Sequence, residues 1–366
     1  MGKTGRMDIM RTKNISNRLR PVLVILAFAS LLVVGMATQS QSAEQVRIAG
    51  LTWPGYGFWF IADEKGLAPD LEISYQPIED PYQTFSLATS GQLDVVSSTI
   101  EFAPIATAEG MPVKLVAYGN ISYGTDKIVV GPGIEGAKDL VGKKVAVLEG
   151  GLAQLYMAIW LEQNGVAYDQ VEYVNLIMDD AASAMIGGDV AAAEFWDPFG
   201  PQVLNSRPGT RLAADSREPF WLQNALIADA HFMNSNFIKD RREVAVKTMK
   251  ALYDAIAWWR KNPAEGNEII ARRMQMPLAD VELVIGKDGT GKDGGLYPYS
   301  FEEAARFCGS APGDPPFGQT NGQIYDHWRM TNEWWIKFGQ MSKTIEPEAG
   351  IDCSLLAELH KAGYGQ

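Results

Sequence analysis

From residue 44 onward the chain alternates short apolar runs with amphipathic stretches. Residues 46–51 form a β-rich run ending in Gly/Pro chemistry, and Phe60, Ala62 and Leu67 follow it at helical spacing. Residues 71–77 alternate as a second strand, 82–90 read as a helix, and 91–98 as a turn feeding a buried strand. Residues 102–109 then make a short helix and 113–118 a further strand. The pattern repeats with strands at 126–130 and 145–148, and a helix opened by Gly150-Gly151 that runs to Asn164-Gly165. A strand at 171–176, a helix at 179–186 and a strand at 191–196 complete the second unit, followed by a strand at 223–232. Residues 236–261 predict one amphipathic helix with Val244, Met249, Leu252, Ile256 and Trp259 on its apolar face. The remainder reads as helical, with a Gly-rich loop at 288–295 and a Pro/Gly stretch at 311–318. Strands alternating with helices at this spacing predict mostly parallel α/β sheets. Two such units in succession suggest two lobes with a cleft between them. Ligands of open α/β sheets sit beyond the carboxyl ends of the strands, which selects the loops after Leu51, Ile78, Ser98, Tyr118, Leu148 and Phe195.

The first 43 residues have a different character. Lys3, Arg6, Arg11, Lys13, Arg18 and Arg20 precede the apolar run PVLVILAFASLLVVGMA and the small polar stretch TQSQSA. This is the layout of a cleaved secretory signal, which predicts a periplasmic protein; an uncleaved anchor helix is the alternative. Without that segment, which holds six basic residues and Asp8, the net charge falls from −12 to about −17. Such acidity excludes a nucleic-acid partner. Cys308 and Cys353 are the two cysteines, and in an exported chain they suggest one bridge, with two buried thiols as the alternative. Three histidines without ligand spacing leave little for a metal, and no cofactor is expected.

The phrases TDKIVV, AKDLVGKKVAVLEGG and DDAASAMIGGDVAAAEFWDPF, within residues 125–201, resemble the solute-binding proteins of ABC importers for nitrate, sulfonates, taurine and thiamine precursors. The opening LTWPGYGFWFIADEKGL and the C-terminal GQMSKTIEPEAGIDCSLL are similar to the first loop and final helix of that family. The resemblance implies a type II periplasmic binding protein fold, with two α/β lobes joined by two crossovers. One lobe would comprise residues 44–122 and 226–366, the other 123–225. It implies a monomer that delivers a small molecule to an ABC permease in the inner membrane. An enzyme of the thiamine-pyrimidine type, or a ligand-loaded partner of a membrane sensor, is the alternative use of such a fold.

Which ligand is read from the residues near predicted strand ends. No arginine occurs between Arg47 and Arg207 and no histidine before His231, so the usual bidentate partner of an oxyanion is missing. The helix start at Gly150-Gly151, with Gln154, could receive an anion through free N–H groups, but Glu149 beside it adds negative charge. Carboxylates and aromatics are plentiful instead: Glu101, Glu149, Glu194 and Asp197 with Trp53, Tyr56, Tyr82, Tyr123, Tyr156 and Trp196. Aromatic faces near carboxylates suit a cationic, zwitterionic or heteroaromatic molecule. Each has a structural reading too. Glu101 could cap the next helix, Glu149 could pair with Lys143 or Lys144, Glu194 could point away, and Asp197 could accept a structural hydrogen bond. The pairs Trp258-Trp259 and Trp334-Trp335 read as packing. No G-x-S-x-G phrase marks a nucleophile elbow, and a binding protein is favoured over an enzyme.

Overall fold

The computed structural model describes residues 43–365; the expected export signal therefore lies outside the described residues, apart from Ala43. Strands β1 (Glu44–Gly50), β2 (Leu71–Pro77), β3 (Val95–Thr99) and β4 (Val113–Ser122) open a first sheet. The chain then crosses to a second sheet for β5 (Lys127–Val130), β6 (Lys144–Val147), β7 (Glu172–Asn175), β8 (Ala192–Phe195) and β9 (Arg211–Asp215). It returns to the first for β10 (Ala228–Asn234) and β11 (Leu296–Pro298). The spatial orders are β11-β4-β10-β3-β1-β2 and β7-β6-β8-β5-β9.

The two sheets share one plan. Each has three parallel strands, β2-β1-β3 and β7-β6-β8, joined through helices as βαβ units require. Each is extended by a strand that arrives from the other sheet and runs antiparallel: β10 beside β3, and β5 beside β8. The expectation of mostly parallel sheets thus holds only for those three-strand cores. The crossing strands enter from the opposite lobe, and so run against their neighbours.

Three further differences have local causes. The expected strand at 223–232 begins only at Ala228, because Pro219 starts a short helix, Pro219–Asn224, that ends in Ala225 at φ 50°. The expected helix at 236–261 is two helices, Ser235–Asp240 and Arg242–Lys261. They break at Arg241, whose guanidinium donates to the Glu44 carboxylate and the Gln45 carbonyl at 2.8 Å each and so ties the break to β1. Helix Phe199–Ser206 and strands β9 and β11 were not anticipated. β11 has three residues, too few to show a period, and is a strand because it pairs with β4.

Apolar side chains fill both sheet faces: Val46, Ile48, Trp59, Leu115 and Trp259 in the first lobe, Ile128, Val145, Leu155 and Leu161 in the second. Helix Gln323–Lys337 serves both cores, with Ile324 and Trp328 in the first and Trp335 in the second. A disulfide joins Cys308, at the end of helix Phe301–Phe307, to Cys353, at the start of helix Ser354–Lys361. Among the described residues no helix is long and apolar enough to cross a membrane.

Candidate functional site

A cavity of about 440 Å³ lies between the two sheets, where their strand ends meet. The first lobe walls it with Trp53 and Tyr56 after β1, Ser98 and Thr99 at the end of β3, Phe102 after it, Asn120 on β4 and Asp229 on β10. The second contributes Leu148, the helix start Gly151-Leu152-Ala153, and Asp126, Glu194, Trp196, Asp197 and Phe199.

Trp53 leads into the tight turn Pro54–Tyr56. Its indole N–H donates to Asp229 Oδ2 at 2.7 Å, and the Tyr56 hydroxyl donates to Asp229 Oδ1 at 2.9 Å. Asp229 is thereby the post that holds both rings. Burial pushes its carboxyl up to about 7, against the pull of those donors. Antiparallel pairing sets Asn120 directly opposite Asp229, where its amide helps hold that carboxyl down, while its Oδ1 is buried without a hydrogen-bond donor. From the other lobe Trp196 meets Trp53 edge-to-face, ring centroids 6.4 Å apart. Phe199 stands against Trp196 at 6.3 Å, also edge-on.

Below Trp196 the second lobe is acidic. Both Asp197 oxygens accept from Lys127 Nζ, at 2.8 and 2.9 Å, and the Asp197 amide donates to Thr125 Oγ1 at 3.1 Å. Burial nevertheless holds Asp197 above its ordinary range. Glu194 on β8 is 2% exposed, and among the described residues no group outside the Asp126 carboxyl donates to either of its oxygens. The group beside it is another carboxyl, Asp126. Burial first, then repulsion from Asp126, pushes Glu194 well above its ordinary range; burial pushes Asp126 up to about 6. No lysine, arginine or histidine lines the cavity, and among the described residues no cluster of three or more metal-ligating side chains is found.

Of the residues singled out from sequence, Trp53, Tyr56, Glu194, Trp196 and Asp197 come together in this cavity. The others lie outside it. Glu101 is fully buried behind the floor, its carboxylate 3.6 Å from His327 Nε2 and its carbonyl accepting from the Trp335 indole. Its side chain does not cap the helix it precedes, Phe102–Ala108. Tyr82 is half exposed, and its hydroxyl donates to the Glu149 carbonyl across the gap between the lobes. Glu149 itself is exposed. Gln154 Oε1 accepts from the Gly150 amide at 2.8 Å and from Gln340 at 2.9 Å, so it ties the helix start from behind. Tyr123 stacks on Phe317 and under Arg217 at the crossover. Tyr156 is buried edge-on against Trp221.

Asp229, Asn120 and Asp126 were missed. The available signal was a charged residue inside an otherwise apolar strand, Asp229 in ALIADAHF. His231, two residues on, is not part of the site. Burial pushes its imidazole down to about 3, and its Nδ1 shares a hydrogen bond with Ser97 Oγ at 3.0 Å inside the first lobe.

Known proteins share this architecture. The alkanesulfonate-binding protein SsuA of Xanthomonas axonopodis pv. citri, bound to MOPS, superposes with a TM-score of 0.65 at 16% identity, over 84% of this chain and 98% of that one. The nitrate-binding protein NrtA of Synechocystis PCC 6803 gives 0.67 at 13% identity, over 87% and 89%. The desulfurization enzyme DSZB gives 0.60 at 13% identity, over 87% and 99%. These likenesses establish the two-lobed fold of periplasmic binding proteins. A Brucella abortus protein whose name assigns it a binding role is 22% identical over 170 residues, 46% of this chain and 52% of that protein. The chain thus spans about half the length of the curated relatives it matches. The model of the NMT1/THI5-like family matches residues 53–266, more than half the chain, and the chain belongs to that family.

Proposed function

We propose that the protein is the periplasmic solute-binding component of an ABC importer. It captures a small organic molecule between its lobes and presents it to the permease in the inner membrane. The observation that carries this reading is a cavity walled by both lobes, with Trp53 from one and Trp196 from the other. A guest seated there touches both, so its binding energy favours the closed arrangement. The N-terminal segment, read as an export signal, supplies the route to the periplasm, and the protein acts as a monomer.

The cavity also limits the guest. Its volume of about 440 Å³ is the share of roughly fifteen waters, far more than nitrate fills. Its lining is aromatic and aliphatic, with carboxyl groups and no basic residue, which disfavours nitrate or a simple sulfonate and suits a cationic, zwitterionic or heteroaromatic molecule.

A thermal-shift screen of the exported, purified protein over amines, betaines, pyrimidines, sulfonates and nitrate tests the reading. Stabilisation by one organic class, with no chemical change in the ligand recovered, is the expected result. Turnover of the ligand, or no stabilisation by any class, overturns it.

A further inference from the structure

Six carboxyl groups line the cavity: Glu79, Asp126, Asp179, Glu194, Asp197 and Asp229. Four have evident relief. Glu79 accepts from the Thr52 amide and hydroxyl, Asp197 from Lys127, and Asp229 from Trp53 and Tyr56, while Asp179 is exposed at the first turn of helix Met178–Gly187. Glu194 and Asp126 differ. Both are buried; no group outside the pair donates to Glu194, whose carboxyl shares a hydrogen bond only with Asp126, itself beside the Ser122 hydroxyl. The cation nearest in sequence, Lys127, is committed to Asp197 and to the carbonyls of Gly124 and Thr125. A buried carboxylate without a partner is costly, and a protein interior rarely keeps one. In the empty cleft burial raises both carboxyls and repulsion from Asp126 raises Glu194 further, so Glu194 keeps a proton that it shares with Asp126.

We propose that the missing partner is the ligand. The cavity takes an organic cation whose charged nitrogen sits against the Glu194–Asp126 pair, beside the indoles of Trp196 and Trp53 that line the same cavity, and whose other end reaches the Asn120 amide. This deepens the solute-receptor reading above and rests on it. The assignment joins three independent features. Glu194 is a buried acid whose one partner is another acid, the Asn120 amide oxygen is buried without a donor, and the two indoles lining the same cavity come from opposite lobes. A positive nitrogen there gains charge-assisted hydrogen bonds or ion pairing and lies near two aromatic π-systems, whereas an anion meets only carboxyl groups and aromatic faces. A neutral isostere cannot replace the proton the acid pair holds, so charge is what the site selects.

The test uses the full chain, exported and purified, at pH 8. Choline and tryptamine are titrated beside their neutral isosteres, 3,3-dimethylbutan-1-ol and tryptophol, and beside ethanesulfonate, by calorimetry and thermal shift. At least one cation is expected to bind tenfold or more tightly than its isostere. Glu194→Gln is expected to erase that preference and to raise the melting point of the ligand-free protein by a few degrees, since at pH 8 the fold must otherwise hold a proton on a buried acid or bear its charge. Asp126→Asn is expected to act in the same direction, and keeps the test decisive if one variant expresses poorly. A lower melting point in both variants, or equal binding of cation and isostere, overturns the proposal. Binding of ethanesulfonate alone overturns the cation assignment and leaves the receptor reading standing. No binding by any probe counts against both.

Discussion

Asp229 is the residue on which the first-lobe wall turns. It receives the indole N–H of Trp53 and the hydroxyl of Tyr56, so the two rings facing the guest are held from below before any ligand arrives. That arrangement makes Trp53 a preorganised anchor. Trp53→Ala is expected to weaken ligand binding about tenfold or more while the protein stays folded, as calorimetry beside circular dichroism would register. Glu101→Ala, by contrast, is expected to leave affinity within about twofold and to alter stability, because Glu101 lies behind the cavity beside His327. The buried acids also set a pH dependence. Asp126 and Asp229 keep their protons in the fold up to about 6 and about 7, whereas in the unfolded chain they release them near pH 4. Between those limits the folded state binds more protons, so these groups lower the stability of the empty protein as pH rises from about 4 through 7. Urea unfolding at a series of pH values is expected to show a smaller fall in Asp126→Asn than in the unmodified chain. An equal fall in both would remove Asp126 from that account. Trp53, Glu194 and Trp196 were legible because they stand at strand ends, where open sheets bind ligands. Asp229 and Asn120 were not, because they meet only through the pairing of β10 with β4, residues far apart in sequence.

At the scale of elements, the crossing strands decide most of the geometry. β10 arrives from the second lobe and slots between β3 and β4, which carries Asp229 to the cleft. Helices whose patterns are strong, such as Phe102–Ala108 and Leu152–Gln163, fall close to their sequence-derived limits. Those that break do so for tertiary reasons, as Arg241 shows by reaching back to β1. The C-terminal elements are joined by the Cys308–Cys353 bridge across 45 residues. A loop of that length corresponds to about 4 kcal/mol of unfolded-state entropy. Cys308→Ser with Cys353→Ser is therefore expected to lower unfolding free energy by about 2–4 kcal/mol, measured in denaturant, with little change in ligand affinity. A large loss of affinity would instead connect the bridge to the cleft.

For the whole molecule, the lobes meet at more than the cavity. Tyr82 of the first lobe reaches the Glu149 carbonyl of the second at the gap. Helix Gln323–Lys337 is shared by both cores, and Gln340 just beyond it holds Gln154. The lobes are thus joined by contacts that the proposed hinge motion would have to break or keep. Tyr82→Phe removes one hydrogen bond and is expected to weaken ligand binding by up to about tenfold, chiefly through faster release in stopped-flow measurements. An unchanged release rate would show that this contact does not hold the closed form. By itself the sequence determined that the chain from residue 44 onward forms two successive α/β units, that it is acidic, and that aromatic and acidic residues gather at strand ends, since periodicity and composition are local properties. Only the tertiary structure decided which carboxyls share the cavity, which strand crosses between lobes and which acids lack a partner. Those depend on contacts between residues a hundred positions apart, and on burial, which alone makes a charge costly enough to call for a guest.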